Sequence, residues 1–324
     1  MKSLDAKLAN IHADPGGASD FILAAATDPD MARGLASPGI NPISGERRSL
    51  ADFRDQVAEI VSQGLVDIVL MSVSTSEQLT VDRRLFERSS ITPAARGNDT
   101  TDVHELAGAN YPQQASRPFR TATVEQITGA AGVDLALYSI TPCNDAALDV
   151  AALEAYRAFR LEAERAGLRH FLEAFVPNVA ELAPPDPARF LNDFVARTLA
   201  GVPRKSRPLF LKMPYPGPRA MEELAAYDPH LIPGVLGGSS GTTHDAFLLL
   251  EDARRHGARA ALFGRKIMDS DHPLTFVRHL RAIANGEMEA REACRSYHSD
   301  LEALGLRPRR SLDEDLVLTE AWNA

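Results

Sequence analysis

Lysine is scarce in this chain. Only five of its 35 basic residues are lysine, namely Lys2, Lys7, Lys205, Lys212 and Lys266. Surface charge is carried by arginine, so a lysine inside an apolar run argues for a use of its amine. Cysteine is scarcer still. Cys143 and Cys294 stand far apart with no CxxC, which excludes a disulfide framework and zinc-ribbon spacing and fits a reducing compartment. No apolar run is long enough to cross a bilayer, and residues 1–17 lack the apolar core of a signal peptide. Positive charge does not dominate either. A net charge of −9 argues against nucleic acid or an anionic membrane as the main partner. The histidines form no HxH or HExxH pattern, so the sequence offers no metal site. No GxSxG elbow is present for a serine hydrolase. These absences leave a cytoplasmic protein that works on a small molecule without cofactor or metal.

What the chain does have is alternation. Strand-like runs at 20–27, 66–74, 91–96, 133–140, 169–177, 208–214, 232–238 and 258–264 are separated by helical patterns. The helices are expected at 49–64, 76–89, 121–132, 149–167, 186–200, 218–227, 243–257 and 274–286. Apolar strands alternating with helices predict a parallel sheet, and eight such units in about 250 residues predict a closed (β/α)8 TIM barrel of the α/β class. An open doubly wound sheet is the alternative, weakened because no GxGxxG follows the first strand. Residues 1–285 read as the barrel domain, and residues 286–324 as a C-terminal helical extension packed on it.

Active sites of such barrels lie at the C-terminal ends of the strands. Lys212 falls there in "PLFLKMP", and Glu173 sits inside the apolar strand "RHFLEAFVP". If both point inward, an amine and a carboxylate share one pocket. Desolvation disfavours a charged amine, and a neutral amine attacks a ketone to form an imine. A carboxylate and a phenol nearby move protons. Tyr138 in the fourth strand and Asp28 after the first are the further candidates. The bland alternative is a buried structural Lys–Glu pair. The second signal is "GVLGGSSG", where Gly238, Ser239 and Ser240 follow the seventh strand, with Gly264 and Arg265 after the eighth. Glycine-rich turns before a helix let backbone N–H groups meet an anion, whereas a plain flexible turn is the competing reading.

Taken together, "FLEAF", "FLKMP", "VLGGSSG" and "LFGRKI" on successive strands resemble the class I aldolases of the tagatose-bisphosphate, archaeal-type fructose-bisphosphate and deoxyribose-phosphate superfamily. The resemblance implies an imine on Lys212, with Glu173 as acid/base. It also implies phosphate contacts from Gly238, Ser239, Gly264 and Arg265, and roles for Asp28 and Tyr138. It implies cleavage of a phosphorylated ketose to dihydroxyacetone phosphate and an aldehyde, or a related thiolase or transaldolase step. A sugar-phosphate-binding barrel without catalysis is the other class of function. Two segments depart from the family pattern, "PDMARGLASPGINP" and the polar loop 96–120. In the loop, Arg96, Asn98, Asp99, Arg117 and Arg120 are candidates for the distal end of a substrate, with a solvated loop or a subunit contact as the equal alternative. Assembly into a homo-oligomer through the C-terminal extension is an expectation by analogy alone.

Overall fold

The computed structural model describes residues 1–40, 45–238 and 241–320. Eight parallel strands form its sheet: β1 (Ile22–Thr27), β2 (Ile68–Met71), β3 (Thr92–Arg96), β4 (Leu135–Ile140), β5 (Arg169–Ala174), β6 (Leu211–Lys212), β7 (Gly234–Leu236) and β8 (Ala260–Phe263). Each strand except β6 pairs with the next in chain order, and β8 pairs back with β1. The last gap, between β6 and β7, is spanned by a Met213–Val235 bridge and by the Leu211 and Met213 N–H groups donating to Ile232 O and Gly234 O. This approach requires glycine at 234, where a Cβ would sit 2.3 Å from Leu211 O. β6 is far shorter than the apolar run around it. Pro208 and Pro214 bracket it and have no N–H for the ladder.

Besides short turns at Asp30–Arg33, Val73–Ser76 and Arg265–Met268, the helices among the described residues are α1 (Ser3–Ala13), α2 (Leu50–Gln63), α3 (Val124–Thr128), α4 (Ala146–Ala166), α5 (Pro187–Ala200), α6 (Pro218–Tyr227), α7 (Thr243–Arg255), α8 (Pro273–Asn285), α9 (Ala290–Ala303) and α10 (Leu312–Asp315). Two expected helices differ. The one read at 76–89 starts earlier, at Val73, widens into a π-helix over Glu77–Asp82 and ends where Arg84 takes a left-handed φ of 52°. The one read at 121–132 shrinks to α3. A Thr123/Gln126 capping box starts it, and Gly129 and Gly132 end it. Within the polar loop 96–120, Asp99–Thr100 and Pro118–Phe119 pair as a small antiparallel hairpin.

Inside the barrel, Leu4, Leu8 and Ile11 of α1 close the floor against Ile22, Ile68, Leu135 and Ile232. Above them Phe171 and Phe210 stack at 4.6 Å between centroids. Lys2 and Lys7 anchor this floor. Lys2 Nζ donates to Phe86 O, Ser89 O and Ile91 O, and Lys7 Nζ to Phe21 O. Two of the five lysines thus serve structure, so scarcity alone does not mark a reactive amine. α9 shares one hydrophobic cluster with α7 and α8 through Ala290, Ala293, Cys294, Tyr297 and Leu301.

Asp67 is the keystone of the floor. Its carboxylate accepts from Leu23 N at 2.8 Å, Lys7 Nζ at 2.9 Å and Arg281 Nη2 at 2.7 Å. Burial works against its charge, but Arg281 and then Lys7 outweigh burial and hold its carboxyl below the usual range. A depressed carboxyl adds stability above its unfolded pKa, about 4, and that stability is lost as pH falls through the folded value. Asp67→Ala leaves two part-buried cations unpaired and is expected to cost about 3 kcal/mol, read as a fall in Tm at pH 7. The same variant should lack part of the wild-type loss of stability below pH 4.

Candidate functional site

Alternation along the strands decides what faces the lumen. Phe171 and Phe210 point inward, so Glu173 and Lys212, two residues on, do the same one layer higher. The register places Glu173 beside Lys212 and Ser139 beside Glu173, so three neighbouring strands present a hydroxyl, a carboxylate and an amine at one level. Lys212 Nζ lies 2.5 Å from Glu173 Oε1, and Ser139 Oγ donates to Glu173 Oε2 at 2.5 Å. Burial opposes the Glu173 charge, but Lys212 and then Arg96 overcome it, so its carboxyl sits below the usual range.

Arg96, at the end of β3, organises the other side. Nη1 donates to Asp28 Oδ2 at 2.8 Å, Nη2 to Asp99 Oδ1 at 3.1 Å, and Nε to Asn98 O at 3.1 Å. Glu173 Oε2 lies 3.9 Å from Nη2. Burial penalises this guanidinium, yet Asp28, Asp99 and Glu173 together hold its proton more tightly than usual. Burial raises the carboxyl of Asp99 despite Arg96. Asn98 locks the hairpin to β4, its amide donating to Ser139 O at 2.8 Å and accepting from Ser139 N at 2.6 Å.

Lys212, Glu173, Arg96 and Asp28 line one cleft, together with Gly237, Gly238, Gly264 and Arg265. Glycine at 237 and 264 is a matter of space. A Cβ there would come within 2.0 Å of the Phe263 ring and 2.7 Å of Ala26 O, respectively. Ser239 and Ser240 lie outside the described residues.

Several expectations require correction. Tyr138 is not in the cleft. It faces the helices, with its ring 4.9 Å from Tyr156 and 4.7 Å from Phe159, and burial raises its phenol pKa. Ser139 takes the lumen position instead. Arg96 lines the cleft, but its guanidinium is already engaged, paired with Asp28 and Asp99 and donating to Asn98 O. Of the other loop arginines, Arg120 turns away to Glu162 on α4. The start of α7 is also less open to an anion than its position implies. Thr243 N already donates to Asp315 Oδ1 at 2.8 Å, and Asp245 N to Thr242 Oγ1. His244 is buried, with Nδ1 2.9 Å from Leu316 O of the C-terminal segment. Lys266 Nζ donates to Gly241 O at 2.7 Å.

Two features escaped the reading of the sequence. One is Ser139, which the register with Glu173 reveals. The other is Glu105, in the loop after β3, which meets Arg265 Nη1 at 3.0 Å and Arg33 Nε at 2.9 Å at the cleft mouth. Away from the cleft, Cys294, His298 and Asp315 bring metal-type donors together, but His298 Nε2 lies 2.9 Å from Asp315 Oδ2 and the cations of Arg291, Arg295, Arg310 and Lys266 lie close by.

No family model matches the sequence. A stretch of 83 residues is 37% identical to 2-amino-3,7-dideoxy-D-threo-hept-6-ulosonate synthase 1 of Archaeoglobus fulgidus. The match takes in 25% of this chain and spans about 30% of the length of that relative. The structure superposes on an archaeal fructose 1,6-bisphosphate aldolase with a TM-score of 0.65 at 15% identity, covering 86% of this chain and 99% of the other. It matches an archaeal fructose-1,6-bisphosphate aldolase whose catalytic lysine carries the carbinolamine intermediate of its substrate equally well, with a TM-score of 0.65 at 16% identity, covering 86% of this chain and 100% of the other. The fructose-bisphosphate aldolase of Slackia heliotrinireducens DSM 20476 aligns with a TM-score of 0.65 at 13% identity and 91% of both chains. The chain therefore has the (β/α)8 fold of the Schiff-base fructose-bisphosphate aldolases.

Proposed function

We propose that this protein is a class I aldolase that makes or breaks a carbon–carbon bond in a phosphorylated ketose through an imine on Lys212. The observation that carries the reading is Lys212 Nζ at 2.5 Å from Glu173 Oε1, in the same cleft as the Gly238 and Gly264–Arg265 turns. Glu173 takes the ammonium proton, and the freed amine forms an N–C bond to the substrate carbonyl. The attacking nitrogen passes a proton to the carbonyl oxygen to give a carbinolamine, and that oxygen then gains a second, from Glu173, and leaves as water. The protonated imine accepts the electron pair of the breaking C–C bond and becomes an enamine, which is then protonated at carbon and hydrolysed by water to release the ketone and the amine. Asp28, held by Arg96 at 2.8 Å, is the carboxylate available for the proton of the substrate hydroxyl. Dihydroxyacetone phosphate and an aldehyde are the products this chemistry gives from a ketose bisphosphate, and the two turns with Arg265 hold a phosphate.

One observation favours a non-catalytic sugar-phosphate-binding barrel instead. Lys212 is ion-paired and only 7% exposed. Borohydride trapping with dihydroxyacetone phosphate, read by intact mass, separates the two. A covalent adduct supports the aldolase, and none across a panel of small sugar phosphates supports the binder. A third test concerns Tyr138. Because its ring faces Tyr156 and Phe159, Tyr138→Phe is expected to leave kcat/KM within about threefold, far short of the 10²–10⁴-fold lost with a proton-transfer group. A larger fall would return the phenol to the chemistry.

A further inference from the structure

The cleft mouth already holds an anion of the protein's own. Glu105 lies in the long loop between β3 and β4, and its backbone N–H donates to Ala32 O at 2.9 Å, fixing it over the loop that follows β1. Its two carboxylate oxygens are shared between loops. Oε2 accepts from Arg33 Nε at 2.9 Å, and Oε1 from Arg265 Nη1 at 3.0 Å. Asp269 Oδ2 stands 3.9 Å from Arg33 Nη1. All four side chains line the cleft whose deeper wall is Lys212 and Glu173. Two guanidiniums from neighbouring loops thus converge on one carboxylate at the cleft mouth.

We propose that Glu105 is a placeholder. Its carboxylate occupies the anion position between Arg33 and Arg265 while the cleft is empty, and a phosphate monoester displaces it. This rests on the reading that the cleft takes a phosphorylated substrate. The exchange follows from charge and shape. Glu105, Arg33 and Arg265 are partly exposed, so their pairing is weak and easily given up. A phosphate dianion offers a second charge and three oxygens to two planar forks, which a single carboxylate does not match. The arrangement also sets selectivity. Weak monoanions compete poorly with a carboxylate already in place, whereas a dianion wins. Arg33 becomes the second arm of the clamp, a role nothing in its local sequence suggests.

The test is titration of inorganic phosphate into the full chain at fixed ionic strength, followed by calorimetry, for wild type, Glu105→Gln, Glu105→Ala, Arg33→Ala and Arg265→Ala. Unchanged circular dichroism and Tm certify each variant's fold. Removing the competing charge should tighten phosphate about three- to tenfold in both Glu105 variants, the scale of one or two exposed ion pairs. Loss of either arginine should weaken it about tenfold, as for one charge-assisted contact. If the Glu105 variants bind no tighter while Arg265→Ala still binds more weakly, the cleft takes phosphate and the placeholder is overturned. If Arg33→Ala binds like wild type, the two-armed clamp is overturned. If neither wild type nor Glu105→Gln binds phosphate, the whole proposal falls. None of these readouts needs an imine, so a clamp that behaves as expected beside failed borohydride trapping would remove the aldolase reading and leave the anion site standing.

Discussion

Lys212→Met should abolish borohydride trapping with dihydroxyacetone phosphate and lower turnover by roughly 10⁵-fold, the scale seen when a covalent nucleophile is removed. Methionine matches the lysine side chain out to Cε and has no amine. The substitution also strips Glu173 of its nearest cation, leaving a buried carboxylate with Ser139 and a guanidinium at 3.9 Å. Breaking a buried pair this way costs about 3–5 kcal/mol, so inactivity of the methionine variant alone does not separate chemistry from folding. Lys212→Arg makes the separation. It keeps a positive charge beside Glu173, and its guanidinium does not give up a proton to become a nucleophile. A stability nearer wild type with no adduct and no turnover assigns the amine to the reaction. Turnover close to wild type in the arginine variant would make the pair structural. An adduct that survives in Lys212→Met would move the chemistry to another lysine. Lys266 is the first to examine, since it stands beside the β7 turn with its amine on Gly241 O.

The barrel was legible because its strands are short, apolar and separated by capped helices. Ser49 and Thr242 begin helices where the sequence places them, and Pro218–Tyr227 spans the expected residues without change. What the pattern hides is the face each residue takes. A parallel strand in a barrel is covered on both sides, so the alternation that marks a half-exposed strand disappears. All six residues of β4 are buried, and nothing in "LALYSI" says whether Tyr138 or Ser139 meets the lumen. Glu173 and Lys212 escaped this ambiguity because a charge inside an apolar strand has to find a partner, and adjacent strands supply it. The ion pairs of Arg96 stayed hidden for the opposite reason. Three carboxylates that reach it come from residues 28, 99 and 173, and only the fold brings them together. The floor helix α1 carried its signal openly, with Leu4, Leu8 and Ile11 on one face, but a stretch tested only as a leader peptide was not read as a helix.

Glu173→Gln should lower kcat/KM by about 10²–10⁴-fold, the contribution of a positioned proton carrier. Glutamine preserves shape and still accepts from Ser139, so packing around Phe171 and Phe210 is retained. It removes the charge that faces Lys212, carried by a carboxylate 2.5 Å from Nζ and able to take its proton. Arg96 keeps Asp28 and Asp99, which limits the damage to stability. The pH profile tells a proton carrier from a strut. The Glu173 carboxyl lies below its usual value, near 4.3, because Lys212 and Arg96 outweigh burial. A depressed carboxyl stays ionised above that value and is lost as base only when pH falls through the lower folded one. Wild-type kcat/KM should therefore hold as pH falls to the usual carboxylate value and decline only below it, an arm that belongs to the free enzyme. In Glu173→Gln that arm should vanish while the residual rate persists. Ser139→Ala, which withdraws a hydrogen bond from the charged form, should move the arm upward and leave it visible. If the glutamine variant keeps the acid arm, the titrating group is another carboxylate, and Asp28, paired with Arg96 at the same mouth, is the residue to replace next.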